Sequence, residues 1–80
     1  AYPNPFNPST QISFDVPATR NATLKVFNSL GQEVATLLDG QVTAGAHTMT
    51  FDASSLPSGL YFAQLHAGSF VSTQKLVLMK

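Results

Sequence analysis

The sequence predicts an all-β domain, an antiparallel β-sandwich of about seven strands. Three observations carry the prediction. Apolar residues recur at every second position in one stretch after another, the period of a strand with one buried face. Clusters of Gly, Pro, Asn, Asp and Ser separate these stretches at spacings of about 8 to 12 residues, the punctuation of a sandwich. No segment keeps a helical period beyond about one turn.

Ala1 to Pro8 carry Pro3, Pro5 and Pro8 with Asn4 and Asn7. Each proline fixes φ and removes an amide donor, so residues 1–8 are read as an extended lead-in, with Tyr2 and Phe6 available to pin it to the body formed by residues 9–80. Thr10 to Val16 alternate, with Ile12, Phe14 and Val16 on one face and Gln11, Ser13 and Asp15 on the other. Pro17 ends this strand. Ala22 to Asn28 repeat the pattern with Leu24 and Val26 inward, which leaves Phe27 outward. Ser29-Leu30-Gly31-Gln32 is a turn, Gly31 supplying a positive φ, and Glu33 to Leu38 complete a hairpin. That last segment also has helix-forming residues, but eight residues between two glycines are short for a helix. Asp39-Gly40 signals a second turn and Gln41 to Ala44 a short edge strand. His47 to Asp52 place Met49 and Phe51 on one face. Ala53 to Gly59 form a Ser/Pro/Gly connection too long for a tight hairpin. Leu60 to Ala67 set Tyr61, Ala63 and Leu65 on one face and Phe62 on the other. Gly68-Ser69 is a two-residue hairpin turn, and Phe70 to Met79 form the last strand.

Composition narrows the function. Four basic and four acidic residues make 10% of the chain and cancel, against about 25% charged residues in an average domain. Such a chain has no electrostatic footprint for nucleic acid or an anionic membrane. With no cysteine, thiolate zinc sites, redox CxxC chemistry and disulfides are excluded. No apolar run approaches the roughly 18 residues of a membrane span. The 80 residues fit one domain, and the lack of an initiator Met reads as a piece of a longer protein.

The segment Leu56-Pro57-Ser58-Gly59-Leu60-Tyr61 is the sharpest structural cue. A Tyr at the start of a strand, just after a Gly-containing turn, matches the tyrosine corner of Greek-key sandwiches and makes the fold immunoglobulin-like. The Tyr61 ring then fills core, and its hydroxyl bonds backbone a few residues upstream.

The chain resembles a large bacterial family in several blocks that occur in fixed order. They are Tyr2-Pro3-Asn4-Pro5-Phe6-Asn7-Pro8-Ser9-Thr10 with Ile12-Ser13-Phe14, then Val26-Phe27-Asn28 with Leu30-Gly31-Gln32-Glu33-Val34. Ala44-Gly45 with His47, Phe51-Asp52-Ala53-Ser54 and Leu56 to Tyr61 follow, and Lys75-Leu76-Val77-Leu78-Met79-Lys80 closes the series. This pattern is similar to the type A C-terminal sorting domain of the type IX secretion system, and also to the immunoglobulin-like domain of the flagellar hook-capping protein. The resemblance implies a tag at the extreme C-terminus of secreted proteins of Bacteroidota-like bacteria. Such a tag directs an upstream cargo domain from periplasm across the outer membrane to the cell surface or beyond. The implied partners are the type IX machinery and its outer-membrane translocon or shuttle. The implied signal residues are Pro3, Asn4 and Pro5, then Gly59, Tyr61, Leu65 and Gly68, and the terminal Lys75, Leu76, Val77, Leu78 and Lys80.

Read as residues alone, two features suit such a tag. One is a last strand whose edge is open to strand addition, its Leu76 and Leu78 serving the core at the same time. The other is the stiff lead-in. Catalysis and cofactors are not expected. His47, His66, Asp15, Glu33, Asp39 and Asp52 show no HExxH, HxH or DxDxDG spacing, and no GxSxG or equivalent nucleophile turn exists. His47 is read as a sheet-margin residue with a hydrogen bond and His66 as solvated. Asp52 is expected to cap the turn at Ala53, and the carboxylates are too scattered for Ca²⁺. Two alternatives stay open. One is a carbohydrate-binding module using Phe27 and Phe62, though Phe lacks a polar handle and the chain has no Trp. The other is a passive spacer or assembly domain.

Overall fold

The computed structural model describes residues 8–79. They form six antiparallel strands: β1 (Ser9–Val16), β2 (Arg20–Asn28), β3 (Glu33–Val42), β4 (Gly45–Asp52), β5 (Gly59–Ala67) and β6 (Phe70–Leu78). One sheet is the pair β1-β4, and the other has the order β3-β2-β5-β6. The expected all-β class is therefore present. The strand count is six where the sequence pattern predicts seven, because Gln41 to Ala44 do not form a separate edge strand. Nor is Asp39-Gly40 a turn. β3 runs through it, pairing Asp39 with Thr23, Gly40 with Ala22 and Val42 with Arg20, so its backbone keeps a partner strand. Register shifts at Leu24/Lys25 and Val26/Phe27 absorb the mismatch along this pair.

Alternation sets the core. Ile12, Phe14 and Val16 from β1 and Phe51 from β4 face Ala22, Leu24 and Val26 from β2, Tyr61, Ala63, Leu65 and Ala67 from β5, and Leu76 and Leu78 from β6. A two-stranded sheet is too narrow to cover a four-stranded one. At one flank the apolar residues Val34, Leu37, Leu38 and Val42 of β3 are only partly buried. At the other flank β6 carries Ser72 and Gln74 at inward positions, where full burial would demand apolar side chains. Gln74 Nε2 instead reaches across the seam and donates to the Ser13 carbonyl of β1 at 2.8 Å. A cleft of about 410 Å³ lies along this seam, with Phe14, His47, Leu65, Phe70 and Ser72 among its walls.

The pairing also fixes the poles of the sandwich. Ser9 lies opposite Asp52, the six-residue link 53–58 joins Asp52 to Gly59, and Gly59 lies opposite Leu78. Tyr61 lies opposite both Asn28 and Leu76. The start of β1, the β2–β3 turn, the start of β5 and the end of β6 therefore share one pole. Val16, Arg20, Ala67 and Phe70 mark the other.

Candidate functional site

Four local devices shape the shared pole. Gly31 takes φ +82° in the β2–β3 turn, where an L side chain is strained. Around it Asn28 Oδ1 accepts from the backbone amides of Leu30 and Gln32, both at 3.0 Å, and Asn28 Nδ2 donates to Gln32 Oε1 at 2.9 Å. Backbone bonds from Gly31 to Asn28 and from Asn28 to Gln32 close the loop. At the end of β4, Asp52 Oδ1 accepts from Ser54 N at 2.9 Å, the cap expected from sequence, while Ala53 N donates to the Pro8 carbonyl at 2.8 Å and ties the lead-in to the body. In the link to β5, Tyr61 Oη donates to the Pro57 carbonyl at 2.7 Å. The ring is buried, so the tyrosine corner is formed and its hydroxyl is satisfied. On the outer face of the larger sheet, Lys25 Nζ lies 3.4 Å from Glu33 Oε1, and Thr36 Oγ1 donates to Glu33 Oε2 at 2.8 Å. The Thr36 bond first, and the Lys25 ammonium next, hold the Glu33 carboxyl below its ordinary value.

The sequence-predicted signal residues divide into three sets. Pro3, Asn4, Pro5 and Lys80 lie outside the described residues. Gly59, Tyr61, Lys75, Leu76, Val77 and Leu78 come together on the neighbouring strands β5 and β6, Tyr61 opposite Leu76 and Gly59 opposite Leu78. Within this set Leu76 and Leu78 are core, Val77 is half-buried on the outer face, and Lys75 is exposed opposite Phe62. Leu65 and Gly68 stand apart from it. Leu65 is buried opposite Leu24 and Ser72. Gly68 turns the β5–β6 hairpin at the far pole with φ +65°, and a Cβ there would meet the Arg20 guanidinium.

The histidines fall where their strand positions place them. His47 Nε2 lies 2.7 Å from the Thr43 carbonyl, and its ring stacks on Phe14 at 5.5 Å between centroids. His66 is exposed and contacts Gln64 Oε1 at 2.8 Å. Among the described residues no group of three His, Cys, Asp or Glu could hold a metal ion, and no helix is long and apolar enough to cross a membrane. Phe27 and Phe62 face each other across β2 and β5 on the outer face, both half-buried. Two residues gain importance that the sequence did not reveal. Gln74 bridges the sheets to a partner 61 positions away, which no local pattern signals. Leu30, by sequence only a turn residue, stands 81% exposed.

Comparison with known proteins completes the placement. No curated protein and no solved structure matches the chain. A family model described as a secretion system C-terminal sorting domain matches residues 1–79, nearly the full length, and nothing favours the sugar-binding or spacer alternatives. A module of this family carries no catalytic function of its own. With that match across its length, the chain belongs to the family of C-terminal sorting domains, which direct proteins through the type IX secretion system to the cell surface or the extracellular space.

Proposed function

We propose that the secretion machinery, at its outer-membrane translocon or at a shuttle that serves it, reads this tag at the pole where β5 begins and β6 ends. One observation supports the reading above others. The start of β5 and the end of β6 meet there, Gly59 opposite Leu78 and Tyr61 opposite Leu76, so signal residues that lie apart in sequence come together on one paired ribbon. Leu76 and Leu78, anchored in the core, hold the strand at a fixed height. Gly59 and Tyr61 brace it from β5, and on the outer face of the sheet Lys75 is exposed and Val77 half-buried. Leu65 and Gly68 act at a distance, by setting the packing and the turn that launch β6. Pro3, Asn4 and Pro5, outside the described residues, are read as the part of the signal next to the cargo upstream.

The experiment fuses residues 1–80 behind a periplasmic reporter, in hosts with and without the type IX machinery. The reporter is expected at the surface or in the medium only when the machinery is present. Removing Lys80 alone is expected to lower export while circular dichroism stays unchanged. Export that continues at the full level without Lys80 would exclude terminal recognition, and a reporter left in the periplasm despite an intact tag would exclude recognition by this segment altogether.

A further inference from the structure

β3 closes the larger sheet at the end opposite β6 and pairs with β2 alone. Among the described residues no hydrogen bond beyond the β2 ladder joins its backbone to another segment. An edge with open amides and carbonyls is a template for another strand, and natural edges are guarded by Lys, Pro or bulges. β3 carries neither Lys nor Pro. Its irregularities lie in its first half, where the register shifts at Leu24/Lys25 and Val26/Phe27 pass over Leu37 and Val34. From Leu38 to Val42 the pairing with β2 runs without a break, Leu38 opposite Leu24 and Val42 opposite Arg20. Residues 38–42 are therefore a regular and unguarded edge.

That stretch is complementary to itself. Leu38, Gly40 and Val42 lie on the inward face, and Leu38 and Val42 are only half-buried at the flank the smaller sheet leaves uncovered. Asp39 and Gln41 are exposed on the outward face. Consider the stretch laid antiparallel against a copy of itself, with a twofold axis at Gly40. Leu38 then meets Val42 of the second copy, and Asp39 meets its Gln41, on both sides of the axis. Inward residues meet inward ones, as cross-strand pairing requires. Backbone groups that point away from β2 recur at every second residue, so they meet their equivalents in the copy. Each Gln41 amide donates to the Asp39 carboxylate opposite. An axis one residue earlier would set Asp39 against Asp39, two like charges face to face. An axis one residue later would set Leu38 against Ala44, beyond the end of β3.

We infer that the domain self-associates through β3, two copies joining their larger sheets into one continuous sheet with Gly40 on the twofold axis. The axis stands perpendicular to that sheet, so both smaller sheets lie on the same side. The half-buried Leu38 and Val42 of each copy cover one another in the gap between them. Charge favours a second copy over a foreign basic strand. Asp39 is the one charged residue of the regular stretch, and Gln41 of the copy supplies its donor. Arg20, opposite Val42, is turned toward the Ala67 carbonyl on β5, away from this edge. So short a ladder buries less than the roughly 1,200 Å² of a stable interface, and the contact is populated where copies are concentrated. Self-association of this kind does not depend on how the tag is read for export.

The test follows the 80-residue tag by sedimentation equilibrium up to about 1 mM, where even millimolar contacts are populated. Wild type is expected to dimerise reversibly. Gln41→Glu sets a carboxylate against Asp39 twice over, and Gln41→Lys sets an ammonium there. The first is expected to weaken the dimer and the second to tighten it, each by roughly 2- to 30-fold, the worth of two cross-strand pairs. Gln41 is exposed, so melting temperatures in dilute solution are expected to stay unchanged. In NMR the amides of Leu38 to Val42 are expected to shift most with concentration. If Gln41→Glu lowers the melting temperature, Gln41→Lys and the wild-type amide shifts decide. A tag that stays monomeric throughout overturns the inference. So does a dimer that the two substitutions move in the same direction or not at all, and so do concentration-dependent shifts that centre on β6.

Discussion

Glu33 shows how much one exposed carboxylate reports about its surroundings. Thr36 and then Lys25 stabilise its charged form, so its folded value lies below the ordinary 4.5. For a depressed carboxylate the stabilising contribution is fully present above the unfolded value and is lost as pH falls through the folded one. The contact between the first turn of β3 and Lys25 is therefore intact at neutral pH and weakens in acid below about 4.5. Thr36→Val is expected to raise the Glu33 titration midpoint, followed by the carboxyl carbon shift in NMR. A midpoint that does not move would mean the Thr36 bond does not form in solution. At this scale the sequence is legible where the partner is near. The Asp52 cap, the His47 bond and the Tyr61 hydroxyl all join residues two to four positions apart and follow from turn chemistry. Gln74 is not legible, because its partner is set by how two sheets stack.

At the scale of the strands, period-two alternation identifies β1, β2, β4, β5 and β6, since each keeps one mostly apolar face. It misjudges β3. That strand lies at a flank the smaller sheet does not cover, so its apolar residues fall on half-buried positions with no clean period, and Asp39-Gly40 imitates a turn within it. The opposite flank is held differently, by the Gln74 bridge from β6 to β1. Gln74→Ala is expected to cost about 0.5–1.5 kcal/mol, the usual net contribution of one such bond. Amide exchange should then quicken along Gln11 to Asp15 more than in the central strands β2 and β5. Uniform quickening over all six strands would show that the bridge contributes only to global stability. The pairing of β6 with β5 is legible in the Gly68-Ser69 hairpin turn, whereas its place in the order β3-β2-β5-β6 needs the topology.

For the whole molecule the margin is thin. A domain of 80 residues has roughly 4–12 kcal/mol of stability, and no disulfide supplements it. Ile12 is fully buried, and truncating such a side chain to Ala removes about 2–5 kcal/mol. Ile12→Ala is thus expected to lower the melting temperature by more than about 10 °C in circular dichroism. A smaller drop would mean that the cavity collapses into the open seam beside β1. The all-β class and the sorting family are legible from the chain alone, the first through alternation and the second through blocks spread along its whole length. The unequal sheets are not, since nothing local states how many strands each sheet holds.

Because Pro8 and Met79 leave from the same pole, the geometry has a mechanical outcome. A pull between payload and tail loads β1 and β6 from their ends, like the two tabs of a zipper. Hydrogen bonds then break singly, rung after rung, in contrast to a shear geometry in which a whole ladder resists together.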